Sequence, residues 1–383
     1  MTDAKNIVVF MGTRPEAIKL APVVAALQKQ GDFTYAVVAT GQHREMFQQV
    51  ADQFGFAVAA NLDVMRPSQS LAELTSRLMI SIDRWLSSVH ADMALVQGDT
   101  TTALVAALAC FYRRIPLGHV EAGLRTGNVW SPFPEEANRR LTTPLATLHF
   151  APTESARQAL LREGVADSTI SVTGNTVIDA LLLELDIQAS DARVRGAIDA
   201  ELGELLGSDW SRVPLVLITG HRRENFGTGI EQICEAIAAL ASRFPDHRFV
   251  YPVHPNPNVL VHVTRLLKDH VNVRLIPPLG YRTFVALMAR CRLVLTDSGG
   301  VQEEAPSLGK PVLVMRDTTE RPEGIEAGTA LLTGPHASAI VEHATRLLTD
   351  EKLYRAMATA KNPYGDGKAA WRVIERIRLL FAS

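Results

Sequence analysis

Cysteine is scarce, with three residues, Cys110, Cys234 and Cys291, in a chain of 383. An odd, widely spaced set inside apolar stretches supplies neither a disulfide framework nor the close ligands of a structural zinc site, so buried reduced thiols are expected. Net charge is also nearly absent, because Lys plus Arg number 39 and Asp plus Glu 41, a balance of −2. That excludes an electrostatic footprint for nucleic acid or for an anionic membrane. Long hydrophobic runs are missing too: the longest, Ala103–Tyr112, is about half of what spans a bilayer. The opening residues, Met1 to Asn6, carry no basic region and no cleavage site of a signal peptide. Together these absences predict a soluble, cytoplasmic protein. What is present is an ordinary globular balance of 47% apolar and 21% charged residues, and at roughly 150 residues per domain the length predicts two large domains or three small ones.

Short β-branched runs alternate with longer amphipathic stretches. Ile7–Phe10, Tyr35–Val38 and Ala94–Val96 read as strands buried on both faces, with His149-Phe150 as a further short one. Leu71, Leu74, Leu78, Ile82, Trp85 and Val89 are spaced by threes and fours and form one apolar helix face. From about Ile178 to Pro214 the chain is helical and charged with no strand. Alternation then restarts at Leu215–Ile218, Phe249–Tyr251, Val273–Ile276, Leu293–Leu295, Val312–Val314 and Ala330–Leu332, and a last helix covers Ala369–Phe381. Strand–helix alternation implies parallel sheets with right-handed crossovers and helices on both faces. The fold class expected is therefore α/β, two successive doubly wound, Rossmann-like halves joined by a helical connector.

In such sheets ligands bind at the carboxyl ends of strands. After the first strand comes Gly12-Thr13-Arg14-Pro15-Glu16, with Lys19 on the helix that follows. Gly12 permits a tight turn, Pro15 suits a first helical turn, and Arg14 and Lys19 sit near a positive helix end suited to an anion. Taken alone, an ordinary βα turn with a surface arginine is the alternative reading of the segment. Asp297-Ser298-Gly299-Gly300-Val301-Gln302-Glu303-Glu304 follows a later strand, and two glycines opening a helix let backbone N–H groups approach phosphate oxygens. Glu304 is expected in the first turn, placed to accept from paired ribose hydroxyls. A plain capped helix start, with Ser298 or Asp297 as the cap, fits the same residues.

No G-x-G-x-x-G follows the first strand and no acidic residue ends the second, which argues against NAD; a P-loop is lacking as well. His119-Val120-Glu121 matches half of a deaminase signature without its P-C-x-x-C partner, so no metal site is expected. Three acids stand at strand or helix ends: Asp99 in Gln97-Gly98-Asp99-Thr100, Glu121 after the next strand, and Glu135 just past Pro134. Singly, Asp99 and Glu135 read as helix-end charges. Acids from neighbouring strands converge on one crevice, however, where proximity and burial suit acid–base work. His221, closing the first strand of the second half, would face them across an interdomain cleft and donate to a leaving phosphate or act as general acid.

Seven segments, in order, carry a resemblance. They are Gly12–Lys19, Gln97–Thr100, His119–Thr126, Ser131–Glu136, His221–Asn225, Asp297–Pro306 and Arg316–Glu323. Together they resemble the non-hydrolysing UDP-N-acetylglucosamine 2-epimerases of bacteria, over nearly the whole chain. The resemblance implies the glycosyltransferase-B fold, two domains facing a cleft. The first, residues 1–178 plus a C-terminal helix of about 365–383 that crosses back, would carry most catalytic acids, and the second, 179–364, would bind UDP. It implies Arg14, Lys19, Phe284, Ser298, Gly299, Gly300, Glu304 and Arg321 for UDP, with Leu279 contributing its backbone beside the base, and Asp99, Glu121, Glu135 and His221 as the catalytic set. It further implies a homodimer, no cofactor or metal, and a place in cell-surface polysaccharide synthesis.

The implied reaction eliminates UDP from C1 with loss of the C2 proton, giving 2-acetamidoglucal, and re-adds UDP after protonation from the other face. Such a path needs a carboxylate base, an acid on the opposite face and cations on the departing diphosphate. Asp99 and Glu121 are assigned to proton transfer at C2, and a closed cleft would retain the intermediate. A second substrate molecule acting as activator is matched by Gln42, Glu135, Arg222 and His254, but Glu45 and Ser68 stand where the family carries Gln and Arg, which removes a bidentate phosphate clamp. Arg282 replaces a usual aliphatic residue ahead of Phe284. The rival readings are a hydrolysing epimerase that releases N-acetylmannosamine, a glycosyltransferase of the same fold, and a non-catalytic sugar-nucleotide binder, against which the intact acid set argues.

Overall fold

The computed structural model describes residues 4–382 except 42, 43, 221, 223 and 224, with the side chains of 44–46 and 258 also outside the description. The chain divides into two units, residues 1–180 with 364–383, and residues 181–363.

The first unit holds seven parallel strands: β1 (Lys5–Met11), β2 (Phe33–Ala39), β3 (Val58–Asn61), β4 (Met93–Gln97), β5 (Leu117–Val120), β6 (Leu148–Ala151) and β7 (Ile170–Val172). Their order is β3-β2-β1-β4-β5-β6-β7, so the winding reverses between β1 and β4. β1 is buried on both faces because its neighbours cover both. Val8 and Phe10 join Leu74, Leu78 and Ile82 of the helix Leu71–Leu86 and the apolar side of the helix Thr101–Tyr112 in one core cluster. The alternate residues Ile7, Val9 and Met11 are equally buried on the side of the helix Arg14–Gln28. Ser70 and Glu73 close a capping box at the start of Leu71–Leu86, whereas Val89, expected on its apolar face, lies beyond the helix end. Ala103–Tyr112 falls inside a helix of this core, and among the described residues no helix is long and apolar enough to cross a membrane.

The last helix, Ala369–Ala382, packs on the helix Arg14–Gln28 of the first unit. Its first N–H groups are taken by one carboxylate, as Ala370 donates to Asp179 Oδ1 at 2.8 Å and Ala369 to Oδ2 at 3.2 Å.

The second unit repeats the pattern with β8 (Leu215–Thr219), β9 (Arg248–Pro252), β10 (Val273–Ile276), β11 (Leu293–Thr296), β12 (Val312–Val314) and β13 (Ala330–Leu332), all parallel, in the order β10-β9-β8-β11-β12-β13. Here the reversal lies between β8 and β11. The connector between the sheets is two helices, Thr176–Ser190 and Ala192–Leu206. Two doubly wound α/β units, read from strand–helix alternation, are what the chain forms. The three cysteines are buried free thiols, pushed up to about 12 by burial.

Candidate active site

At the reversal of the first sheet, the loops after β1, β4 and β5 meet. Thr13 caps the helix Arg14–Gln28, and the loop before it touches the helix Thr101–Tyr112 directly: a Cβ at Gly12 would stand 2.3 Å from Thr102 Oγ1. Lys19, on the following turn, places Nζ 2.7 Å from both carboxylate oxygens of Glu121. Glu121 follows β5, is 8% exposed, and has a φ of +64°, a left-handed backbone that few residues other than glycine adopt. Surrounding donors keep it there. Asn175 Nδ2 donates to Oε1 at 2.9 Å and the Gln97 amide donates to Oε2. A strained, buried, multiply bonded carboxylate at a strand end is the kind of local conflict that marks functional sites.

Asp99 stands on the neighbouring loop after β4. Its Oδ2 pairs with Arg139 Nη2 at 2.6 Å, and its main-chain oxygen accepts from Asn138 Nδ2 at 2.8 Å. The loop runs beside Glu121, since a Cβ at Gly98 would lie 3.6 Å from Glu121 Oε2. Glu135 begins the helix Glu135–Thr142 that also supplies Asn138 and Arg139. It is half-buried, and its side chain makes no hydrogen bond or ion pair among the described residues. Arg14 is half-buried one residue past the cap. Asp99 and Glu121 are thus brought onto adjacent loops at one end of the sheet, and Glu135 heads the helix bonded to the Asp99 loop. His221 and Gln42 lie outside the described residues, as does Glu45's side chain.

Several residues to which sequence reasoning gave no role hold this site. His119, buried in β5, bonds Gly98 O through Nε2 at 2.7 Å, and burial pushes it down to about 4, so the ring is neutral and Nε2–H is the donor. Glu136, adjacent to Glu135, is the fully buried member of that pair. Burial pushes its carboxyl up, but the Thr126 N–H and the guanidiniums of Arg139 and Arg140 outweigh it and hold it below the usual range. Gln97 carries a usable signal, as a polar residue closing an otherwise apolar strand next to a strand-end acid. Asn175 carries none, because its link to Glu121 spans 54 positions.

In the second unit, the helix Gly299–Ser307 starts directly after β11. Ser298 occupies the cap position without a side-chain capping bond, and its N–H donates to Thr296 Oγ1 at 2.9 Å. Asp297 is buried and joins two loops: Oδ2 accepts from Arg222 N at 2.8 Å and from Asn225 Nδ2 at 3.2 Å. Two guanidiniums face the helix start. A Cβ at Gly299 would lie 3.8 Å from Arg222 Nη2 and 3.9 Å from Arg321 Nη2, while nothing stands within 4 Å of one at Gly300. Arg321 is itself bonded through Nε to the buried Glu303. A helix N-terminus flanked by two arginines is an anion site by dipole and charge together. Arg222, matched above to a separate activator site, stands beside the same helix start as Arg321.

Glu304 corrects an expectation. It lies in the second turn of its helix, not the first, and is buried with Oε1 accepting from Tyr281 O–H at 2.9 Å. Tyr281 opens the helix Tyr281–Arg290, so that bond fixes the segment bearing half-exposed Leu279 and Phe284 against the helix Gly299–Ser307. Arg282 compensates a buried charge, since its Nε pairs with the fully buried Glu184 at 2.8 Å. His254 is exposed after β9, where Nδ1 accepts from Asn256 N at 3.1 Å, and Ser68 is exposed with a φ of +57°.

Two doubly wound parallel sheets, one with clustered acids and one with an arginine-flanked helix start at their respective winding reversals, define an α/β protein of the glycosyltransferase-B type. The UDP-N-acetylglucosamine 2-epimerase family profile matches residues 25–378, and the chain belongs to that family. It is similar to the UDP-N-acetylglucosamine 2-epimerase of Escherichia coli strain K12, 53% identical over 97% of this chain and 98% of that protein. The Yersinia pestis protein of the same name is 52% identical over 97% of this chain and 98% of its own. The crystal structure of the Neisseria meningitidis UDP-GlcNAc 2-epimerase bound to UDP-GlcNAc superposes with a TM-score of 0.88 at 47% identity, covering 98% of this chain and all of that one.

Proposed function

We propose that the chain interconverts UDP-N-acetylglucosamine and UDP-N-acetylmannosamine by eliminating and re-adding UDP, without releasing the sugar. The observation that carries this reading is the Glu121 site, a carboxylate held in left-handed backbone by Lys19, Gln97 and Asn175 beside the loop that bears Asp99. The relative crystallised with UDP-GlcNAc supports the substrate.

C2 of an N-acetylhexosamine bears no acidic hydrogen, so inversion there starts from the weak bond at C1. As the C1–O bond to UDP breaks, the C2–H electrons form the C1=C2 double bond and a carboxylate takes the proton, leaving 2-acetamidoglucal and UDP. Proton return to the opposite face from a second acid, with attack of a UDP phosphate oxygen at C1, gives the manno epimer. Asp99 and Glu121 are the pair for C2, each already set by a cation, Arg139 and Lys19 respectively. Glu135 and His221 complete the acid–base set that the motif resemblance implies. In the second unit, Arg321 and Arg222 with the Ser298 hydroxyl and the N–H groups of Gly299 and Gly300 take the diphosphate, and their charge stabilises it as it departs. Leu279 and Phe284 flank the base, and Glu304, fixed by Tyr281, accepts from the ribose. Arg14 adds positive charge from the first unit.

The test is a product analysis with UDP-N-acetylglucosamine as sole reactant. The reading predicts UDP-N-acetylmannosamine growing to a constant ratio with substrate. Free N-acetylmannosamine with an equal amount of UDP would assign the hydrolysing branch, and turnover only after an acceptor is added would assign a transferase.

A further inference from the structure

Glu16 is the one acid of the Gly12–Lys19 segment that the reaction above leaves without a role, and its surroundings exceed what a helix start requires. In the capping box, Thr13 Oγ1 accepts from Glu16 N at 3.4 Å, and Glu16 Oε2 accepts from Thr13 N–H at 2.6 Å. That motif works at a solvent-exposed surface, as Ser70 and Glu73 do in this chain. Glu16, by contrast, is 2% exposed and has two further partners. Oε2 also accepts from Gly12 N–H at 3.2 Å, and Oε1 accepts from Thr100 O–H at 2.8 Å across 84 positions. Thr100 is the residue after Asp99, and it caps the helix Thr101–Tyr112 by accepting from Ala103 N–H at 3.1 Å.

We propose that Glu16 is a positioning residue, which locks the Asp99 loop to the loop bearing Arg14 by bonding both at once from one buried carboxylate. The inference rests on the proposed role of Asp99 in proton transfer. Three positions along the same helix, Lys19 holds Glu121, so the first turns of Arg14–Gln28 carry two pegs, one for each acid-bearing loop. The other bonds on the Asp99 loop come from residues further along the chain: His119 on Gly98 O, Asn138 on Asp99 O and Arg139 on its carboxylate. Glu16 ties that loop back to the segment after β1. Burial pushes its carboxyl up to about 7, against the lowering effect of Thr13, Thr100 and Gly12.

Each partner of the carboxylate oxygens is a donor, and two are backbone N–H groups that cannot accept. A glutamine amide must therefore turn its NH₂ toward Thr100 Oγ1, which already accepts from Ala103, and the hydroxyl hydrogen loses its acceptor. Hydrogen exchange and steady-state kinetics are the assays, on the full chain bearing E16Q, T100V, T100S or the pair E16Q/T100V. The proposal expects E16Q to raise exchange both in residues 10–17 and in 97–104, and T100V, which keeps the capping box intact, to raise exchange in residues 10–17. In UDP-N-acetylglucosamine turnover, E16Q and T100V are each expected to lower kcat about tenfold or more, the scale of small misplacements of reacting groups, with KM changed less than about threefold. The pair is expected to be no worse than E16Q, and T100S to restore most of the rate.

Exchange confined to residues 10–17 in E16Q would reduce Glu16 to a cap and overturn the proposal, as would multiplicative losses in the pair or a wild-type kcat in T100V. T100V alone carries the test should E16Q fail to fold. A wild-type chain without turnover refutes the functional reading, and the exchange of the two segments still decides the positioning claim.

Discussion

Replacing Gly123 with alanine probes how tightly the segment after Glu121 is held. Gly123 has a φ of +91°, and a Cβ there would stand 2.3 Å from Ala156 O, 2.9 Å from Ala156 C and 3.0 Å from Leu160 Cγ. The first two are backbone atoms of the helix Glu154–Arg162 and cannot rotate away, so the helix or the loop must shift. Left-handed backbone costs alanine about 1–2 kcal/mol, and forcing a methyl into packed surroundings about 1–3 kcal/mol more. Gly164 separates the two contributions, because its φ of +84° imposes the same backbone strain while nothing lies within 4 Å of its Cβ. Urea unfolding followed by circular dichroism should therefore show G164A destabilised by about 1–2 kcal/mol and G123A by about 2–5 kcal/mol. G123A should also lose turnover, because the strain is delivered two residues from Glu121. Equal destabilisation of the two variants would refute the close-approach argument.

Other consequences follow from the same geometry. E121Q should retain the fold and lose about 10²–10⁴ in kcat, the range of a removed acid–base group, as read by initial rates beside a circular dichroism spectrum. R321A removes a guanidinium from the helix start, and calorimetry should show the UDP Kd rising about ten- to a hundredfold, the value of a charge-assisted hydrogen bond; an unchanged Kd would move the diphosphate elsewhere. Asp179 gives a pH-dependent stability: burial first, against the opposing Ala370 and Ala369 N–H groups, pushes its carboxyl up to about 6 from 3.8. The folded state thus binds this proton more tightly, so the contribution is full below about pH 4 and is lost as pH rises through about 6, on the order of 2–3 kcal/mol in all. D179N should flatten that slope in unfolding free energies measured between those pH values.

The sequence is most legible where burial is complete. β1, β4, β8 and β11 are continuous apolar runs, and the acids and glycines just after them read as site residues because a strand's end is visible as the place where such a run stops. β3 and β7 leave no such trace: Val58–Asn61 alternates half-buried and exposed positions with none buried, and in β7 only Ile170 is buried, with Ser171 breaking the run. Such strands show no run to detect. The candidate acids are legible one at a time, but not what holds them. The Lys19–Glu121 pair spans 102 positions and the Thr100–Glu16 bond 84, and no local pattern encodes either. Ser298 caps the helix as the sequence allows, but counting from Gly299 puts Glu304 in the second turn, not the first, where it is a buried partner of Tyr281. The left-handed backbone of Glu121 is invisible for a similar reason, since nothing in Val120-Glu121-Ala122 prefers it and the tertiary contacts impose it.

The central claim is reversible loss of the C2 proton within the bound sugar nucleotide. Incubating the protein with UDP-N-acetylglucosamine in D₂O, with no nicotinamide added, and following the sugar by proton NMR tests it most directly. The account predicts a growing manno anomeric signal, with deuterium entering at C2 and UDP still attached at equilibrium. A manno product that keeps its original C2 proton would contradict elimination at C2 and the roles given to Asp99 and Glu121.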